Sequence, residues 1–123
     1  MNSITAPATT TTRWLSASGA LLAAVAVALS AYAAHGLQGD AQSRLQTAAL
    51  FAFGHGLALA VLAPQGRRRL GRVALVGLLL GVLLFSGSLV GSHFLGRSVG
   101  LAPFGGSLLI LAWLLYAVDA MRG

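Results

Sequence analysis

Val76 to Phe94 reads VGLLLGVLLFSGSLVGSHF, a run long enough to cross a hydrocarbon core about 30 Å thick, yet repeatedly interrupted by residues without bulk. Gly77 and Gly81, Gly87 and Gly91, and Ser88 and Ser92 form three small-xxx-small pairs. A spacing of four places both members of a pair on one helical face. In lipid, close approach of backbones across such a face is a main source of helix association. The stretch therefore reads as a membrane helix built to be packed against, with Gly77, Gly81, Gly87 and Gly91 as its packing positions.

The rest of the chain repeats the theme. Of 123 residues 57% are hydrophobic, and the charges are eight arginines against two acids, Asp40 and Asp119. That balance lies outside the soluble class. The charged residues leave charge-free runs at Trp14 to Gly39, Leu45 to Gly66, Val73 to Gly96 and Ser98 to Val118, each at or above the roughly 18 apolar residues that mark a spanning helix. So short a chain has no room for a separate soluble domain. The expected fold is all-α, an integral membrane bundle of four transmembrane helices arranged up-down-up-down. Residues 1–13, with the threonine run at Thr9 to Thr12, read as a disordered N-terminal tail, and 14–123 as one domain with spans at about 14–34, 41–63, 73–95 and 102–121.

Local signals set the connections. Arg13 and Trp14 form an interfacial anchor pair, His35, Gly36 and Leu37 end the first helix, and Gly39-Asp40 supplies a stop followed by an N-cap for the second. Pro64, Gln65 and Gly66 close that helix, and Pro103 is placed as the first-turn proline of the last. The first span has a rival reading: one arginine, an apolar core at Leu21 to Leu29 and the Ala31-Tyr32-Ala33 site also resemble a secretory signal peptide, although its apolar run is longer than a usual signal core.

A net charge of +6 in a soluble protein would suggest nucleic acid, but these arginines sit between apolar runs without a basic or aromatic groove pattern, and no nucleic-acid partner is expected. Their distribution speaks of topology instead. Arg13, Arg67, Arg68, Arg69, Arg72 and Arg122 fall on one side, Arg44 and Arg97 on the other, and short-loop arginine excess marks the cytoplasm. Both termini are therefore expected inside. The cluster Arg67, Arg68, Arg69 and Arg72 is read as the topology determinant, with anionic lipid headgroups as its other use.

Polar groups inside a span are costly in hydrocarbon, so each is a functional candidate. The candidates are His55, Ser86, Ser88, His35 and His93. His55, flanked by Gly54 and Gly56 in an apolar run, reads as a neutral imidazole bonded to a neighbouring helix, with a proton-accepting or ligand-binding group as the alternative. A His55 to serine hydrogen bond, to Ser86 or Ser88, is the expected interior link. The three histidines do not suit a metal: His35 and His93 lie near the outer surface, whereas His55 is roughly 16 Å along its helix from Arg44. The absence of cysteine excludes disulfides, thiol catalysis and cysteine-ligated metal, and there is no carboxylate pair, G-x-S-x-G, P-loop or H-E-x-x-H. No metal, no cofactor and no enzymatic activity are expected.

Several short motifs, taken in order, resemble a known group. They are Ala34-His35-Gly36-Leu37, Gln46-Thr47 followed by His55-Gly56-Leu57-Ala58-Leu59, Leu84-Phe85-Ser86-Gly87-Ser88-Leu89, and Ala102-Pro103-Phe104-Gly105-Gly106 with Trp113. From about Gly19 onward the chain is similar to the small inner-membrane proteins of the YgdD type, the domain of unknown function 423. The resemblance implies a four-helix protein of the bacterial inner membrane without an established activity. Phe51 and Ala52 stand where that family often has a tyrosine and a polar residue.

Two functional classes follow. The first is a small non-enzymatic packing or accessory protein of the bilayer that associates, through Gly77, Gly81, Gly87, Gly91, Gly105 and Gly106, with itself or a larger membrane complex. The second is a transporter or permeation element lined by His55, Ser86, Ser88 and His93. In either class Phe85-Ser86-Gly87-Ser88 is expected at the heart of the bundle, opposite His55.

Overall fold

The computed structural model describes residues 10–66 and 68–122. Among these, the chain forms four α-helices, α1 (Thr10–Gly36), α2 (Gly39–Leu62), α3 (Arg69–Leu95) and α4 (Ala102–Met121), with a 3-10 turn at Ala63–Gln65 and no strand. All four are long and apolar enough to cross a membrane. The fold is all-α, and its length and hydropathy are those of a membrane bundle.

The helices run in alternating directions, as their pairings show. Ser16 near the start of α1 bonds to Ala60 near the end of α2, and Gln42 near the start of α2 reaches Ala33 near the end of α1. Ser86 of α3 bonds to Ala48 of α2. Gly77 and Gly81 of α3 lie against Ala112 and Leu109 of α4, descending in number as α3 ascends. Short connections between long helices leave antiparallel packing as the simple solution. α1 packs chiefly on α2 and α4 chiefly on α3, with α2 and α3 meeting between them, so the molecule is two helical hairpins joined along their inner helices. The seam is filled by Leu15, Leu59, Leu75, Leu78, Val82 and Leu109.

Two local features differ from the sequence-based expectation. Of the expected tail, residues 1–9 lie outside the described residues, but Thr10 to Arg13 are the first turn of α1, and Thr12 is buried. The start of α1 packs on the 3-10 turn at Ala63–Gln65, and this tertiary contact overrides the weak helix propensity of a threonine run. Asp40 does not cap α2. Gln38 holds the extended N-cap position without a side-chain cap bond, and Asp40 sits in the first turn, where its charge complements the helix dipole. In contrast, α3 starts among arginines with no acid in its first turn, so Arg68, Arg69 and Arg72 oppose the dipole of their own helix. Arg67 lies outside the described residues. Gly96 takes φ +69° at the C-cap of α3, a left-handed position that suits glycine.

The outward surface is apolar. Leu21 and Val25 on α1, and Ile110, Leu111 and Leu114 on α4, are all more than half exposed. Apolar faces of this kind are a liability in water and lipid-facing walls in a bilayer.

Candidate functional site

The glycines divide into those that meet a neighbour and those that do not. A methyl group built on Gly19 would lie 2.5 Å from the Gly56 carbonyl oxygen, and one on Gly56 would lie 2.6 Å from the Gly19 carbonyl oxygen. The first hairpin is thus closed by a reciprocal glycine crossing. The second is closed by Gly81 and Gly105: a methyl on Gly81 would meet the Leu109 side chain at 2.9 Å, and one on Gly105 would overlap the backbone of Phe85. Gly77 approaches Ala112 (3.1 Å), Gly91 makes ordinary contact with Val99 (3.5 Å), and Gly106 with the Phe85 ring (3.8 Å). Gly87 is a correction. It faces outward with nothing within 4 Å, because the neighbouring Ser86 and Ser88 occupy the inward side of α3. Gly19 and Gly56 were missed because each stands alone in its own helix. Only the crossing of α1 and α2 brings them together.

Gly19, Gly56, Gly77, Gly81 and Gly105 are therefore spent on contacts within the chain, whereas Gly87 is not. Phe85 marks the junction: its ring packs on Phe51 of α2 at 4.5 Å between centroids, while its backbone is the surface that Gly105 of α4 approaches.

The polar groups are similarly engaged. His55 does not reach a serine. Its Nε2 accepts the indole N–H of Trp113 on α4 at 3.0 Å, and its Nδ1 lies 2.8 Å from the Phe51 carbonyl oxygen, one turn earlier in α2. A ring that accepts at Nε2 and donates from Nδ1 is a neutral imidazole with its proton on Nδ1. The ring also stacks on Phe51 at 5.7 Å and lies 5.8 Å from the Trp113 ring, which continues to Tyr116. Trp113 could have been singled out as the partner, since an indole N–H in the middle of an apolar span requires an acceptor.

The Ser86 hydroxyl donates to the Ala48 carbonyl oxygen at 2.8 Å in a buried setting. This register explains the missing serine link: Ala48 and His55 are seven residues apart on α2, about 10 Å along its axis. Phe85 and Ser86 thus face α2 at the level of Phe51 and Ala48, one to two turns short of His55. His35 is exposed at the end of α1. His93 lies at the far end of α3, edge-on to Tyr32 at 6.2 Å. No group of three metal-ligating side chains occurs among the described residues.

At the His93 end, the 96–101 segment folds back over α3. Two α3 serines hold it: Ser92 accepts the Val99 amide at 3.0 Å, and Ser88 accepts the Leu101 amide at 3.2 Å. Beneath it lies a cavity of about 660 Å³ walled by Arg44, Ser88, Ser92, His93, Arg97 and Ser98. Ser88 and His93, two of the residues singled out from the sequence, meet here. Ser86 and His55 do not.

The chain is similar to known proteins over most of its length. Residues 29–114 match the model of a family described as "Protein of unknown function (DUF423)". A "UPF0382 membrane protein" of Haemophilus influenzae is 33% identical over 104 residues, covering 78% of this chain and 84% of that protein. One from Staphylococcus epidermidis is 34% identical over 115 residues, covering 85% and 92%, and the "UPF0382 membrane protein YwdK" of Bacillus subtilis is 32% identical over 114 residues, covering 85% and 93%. No solved structure matches.

Proposed function

The chain belongs to the DUF423 family of membrane proteins, and from that premise we propose that it is a non-catalytic packing or accessory component of the bacterial inner membrane, with both termini and the arginine loop in the cytoplasm. The observation that carries this reading is that the polar groups within the spans are used as ties between helices. Ser16 joins α1 to α2, Ser86 joins α3 to α2, and His55 joins α2 to Trp113 of α4. A pathway needs polar groups lined up along a wet channel. Here Leu75, Leu78 and Val82, all fully buried, fill the centre. The arginines at the start of α3 support the orientation, since they sit unfavourably at the positive end of their own helix and make sense as a topology signal. The apolar outer faces of α1 and α4 are left for lipid, a second copy or a larger membrane complex.

The test is reconstitution of the full chain into sealed vesicles, with proton, potassium and small-solute leakage compared with protein-free vesicles. Equal leakage is expected. A flux that His55→Ala or Ser88→Ala abolishes would move the protein to the permeation class.

A further inference from the structure

The cavity at the His93 end has a cationic lining. Arg44 reaches it from α2 and Arg97 from the α3–α4 connection. None of the residues lining it is acidic. Asp40, the acid at this end, lies one turn before Arg44 outside the cavity wall, and no ion pair joins it to either arginine. Two arginines that line one cavity whose wall holds no carboxylate give it a positive potential that favours an anion. Arginine's planar fork matches the oxygens of a phosphate in particular.

The surroundings are set up for the same charge. Ser92 and Ser98 place hydroxyls in the wall, and α4 begins at the cavity rim with Ala102 and Pro103, bringing the positive end of its dipole to the site. The wall is held in place by the two serine-to-amide bonds and by left-handed glycines at Gly96 and Gly100, so the connection carrying Arg97 does not need to be ordered by its ligand. A volume of about 660 Å³ falls within the roughly 300–1,000 Å³ usual for small-molecule sites. The site opens to the surface, with Arg44, Arg97 and Ser98 exposed, which leaves room for a group esterified to the phosphate.

We propose that this cavity binds an anionic phosphate ester, with its phosphate held by Arg44 and Arg97. A phospholipid headgroup and a soluble phosphate ester share that chemistry, and two probes separate them. The full chain, delipidated in mild detergent, is titrated with dioleoylphosphatidylglycerol by native mass spectrometry and with glycerol 3-phosphate by calorimetry. The comparison is between the unmodified protein, Arg44→Gln/Arg97→Gln, and Arg122→Gln at the opposite end of α4. The expected result is binding of at least one probe that falls by about tenfold or more in the first variant, stays within about twofold in the second, and is restored only in part in Arg44→Lys/Arg97→Lys, which keeps the charge but not the fork. Binding of the lipid alone identifies a headgroup, and binding of glycerol 3-phosphate as well identifies the phosphate ester itself. The proposal is overturned if the unmodified protein binds neither probe, if Arg44→Gln/Arg97→Gln binds as the unmodified protein does, or if the two glutamine variants lose binding equally. Should the double variant fail to fold, Arg97→Gln alone, in an exposed connection, gives the same reading.

Discussion

Trp113 on α4 donates its indole N–H to Nε2 of His55 on α2 at 3.0 Å, and the same ring turns Nδ1 to the Phe51 carbonyl oxygen at 2.8 Å. One imidazole thus joins two helices that do not follow each other in sequence, and both ring nitrogens are engaged. The hydrogen-bond pattern sets the proton on Nδ1. Nitrogen NMR of the protein labelled at histidine should show His55 as the neutral Nδ1–H tautomer. A dominant Nε2–H signal would contradict the geometry.

The glycine crossings predict a sharp contrast between positions that look alike in sequence. Gly19→Leu and Gly56→Leu each drive a side chain into opposing backbone and should cost about 1–3 kcal/mol or more, read as a lower unfolding temperature in detergent. Gly87→Ala meets open space and should be neutral, or stabilising by up to about 1 kcal/mol from helix propensity. If Gly87→Ala is as damaging as Gly56→Leu, the packing account fails.

The sequence carried the helices but not their registers. Charge-free runs between arginines define four apolar helices because nothing else can cross hydrocarbon, and Gly81 and Gly105 declare themselves by spacing or motif. Gly19 and Gly56 do not, since their significance lies in a crossing point that depends on how far each helix extends past its loop. The serine expected to meet His55 failed for the same reason, being displaced by about 10 Å of register. Gly87 shows the reverse error: a four-residue spacing to Gly91 identifies a stripe but not whether it faces protein or lipid. The cationic cavity was hidden because Arg44 and Arg97 are far apart in sequence and are brought together only by the fold-back of the 96–101 segment.

Ser86 should behave as a tie and not as a channel residue. Ser86→Ala removes one buried donor while the Ala48 carbonyl keeps its helical environment, so stability should fall by about 0.5–1.5 kcal/mol. Vesicle leakage should remain unchanged. Ser86→Leu, which forces a larger group against α2, should destabilise far more, and equal stability of the two variants would argue against the buried contact.

The arginine loop should dictate orientation. A phosphatase fused to the C-terminus is expected to be inactive in the periplasm-dependent assay, and a fluorescent protein there to fluoresce. Replacing Arg67, Arg68, Arg69 and Arg72 by alanine removes four of the six arginines on that side and should produce mixed or inverted topology. Unaltered orientation would assign these residues another role.

Polar groups within the spans bind helix to helix, both in the interior at Ser86 and on the outer face at His55 and Trp113. A double-mutant cycle on His55→Leu and Trp113→Phe, followed by reversible unfolding in detergent, measures that directly. A favourable coupling of about 0.5–1.5 kcal/mol between the two residues is expected, so that the double variant loses less stability than the sum of the single ones. Strictly additive losses, with a coupling indistinguishable from zero, would contradict it.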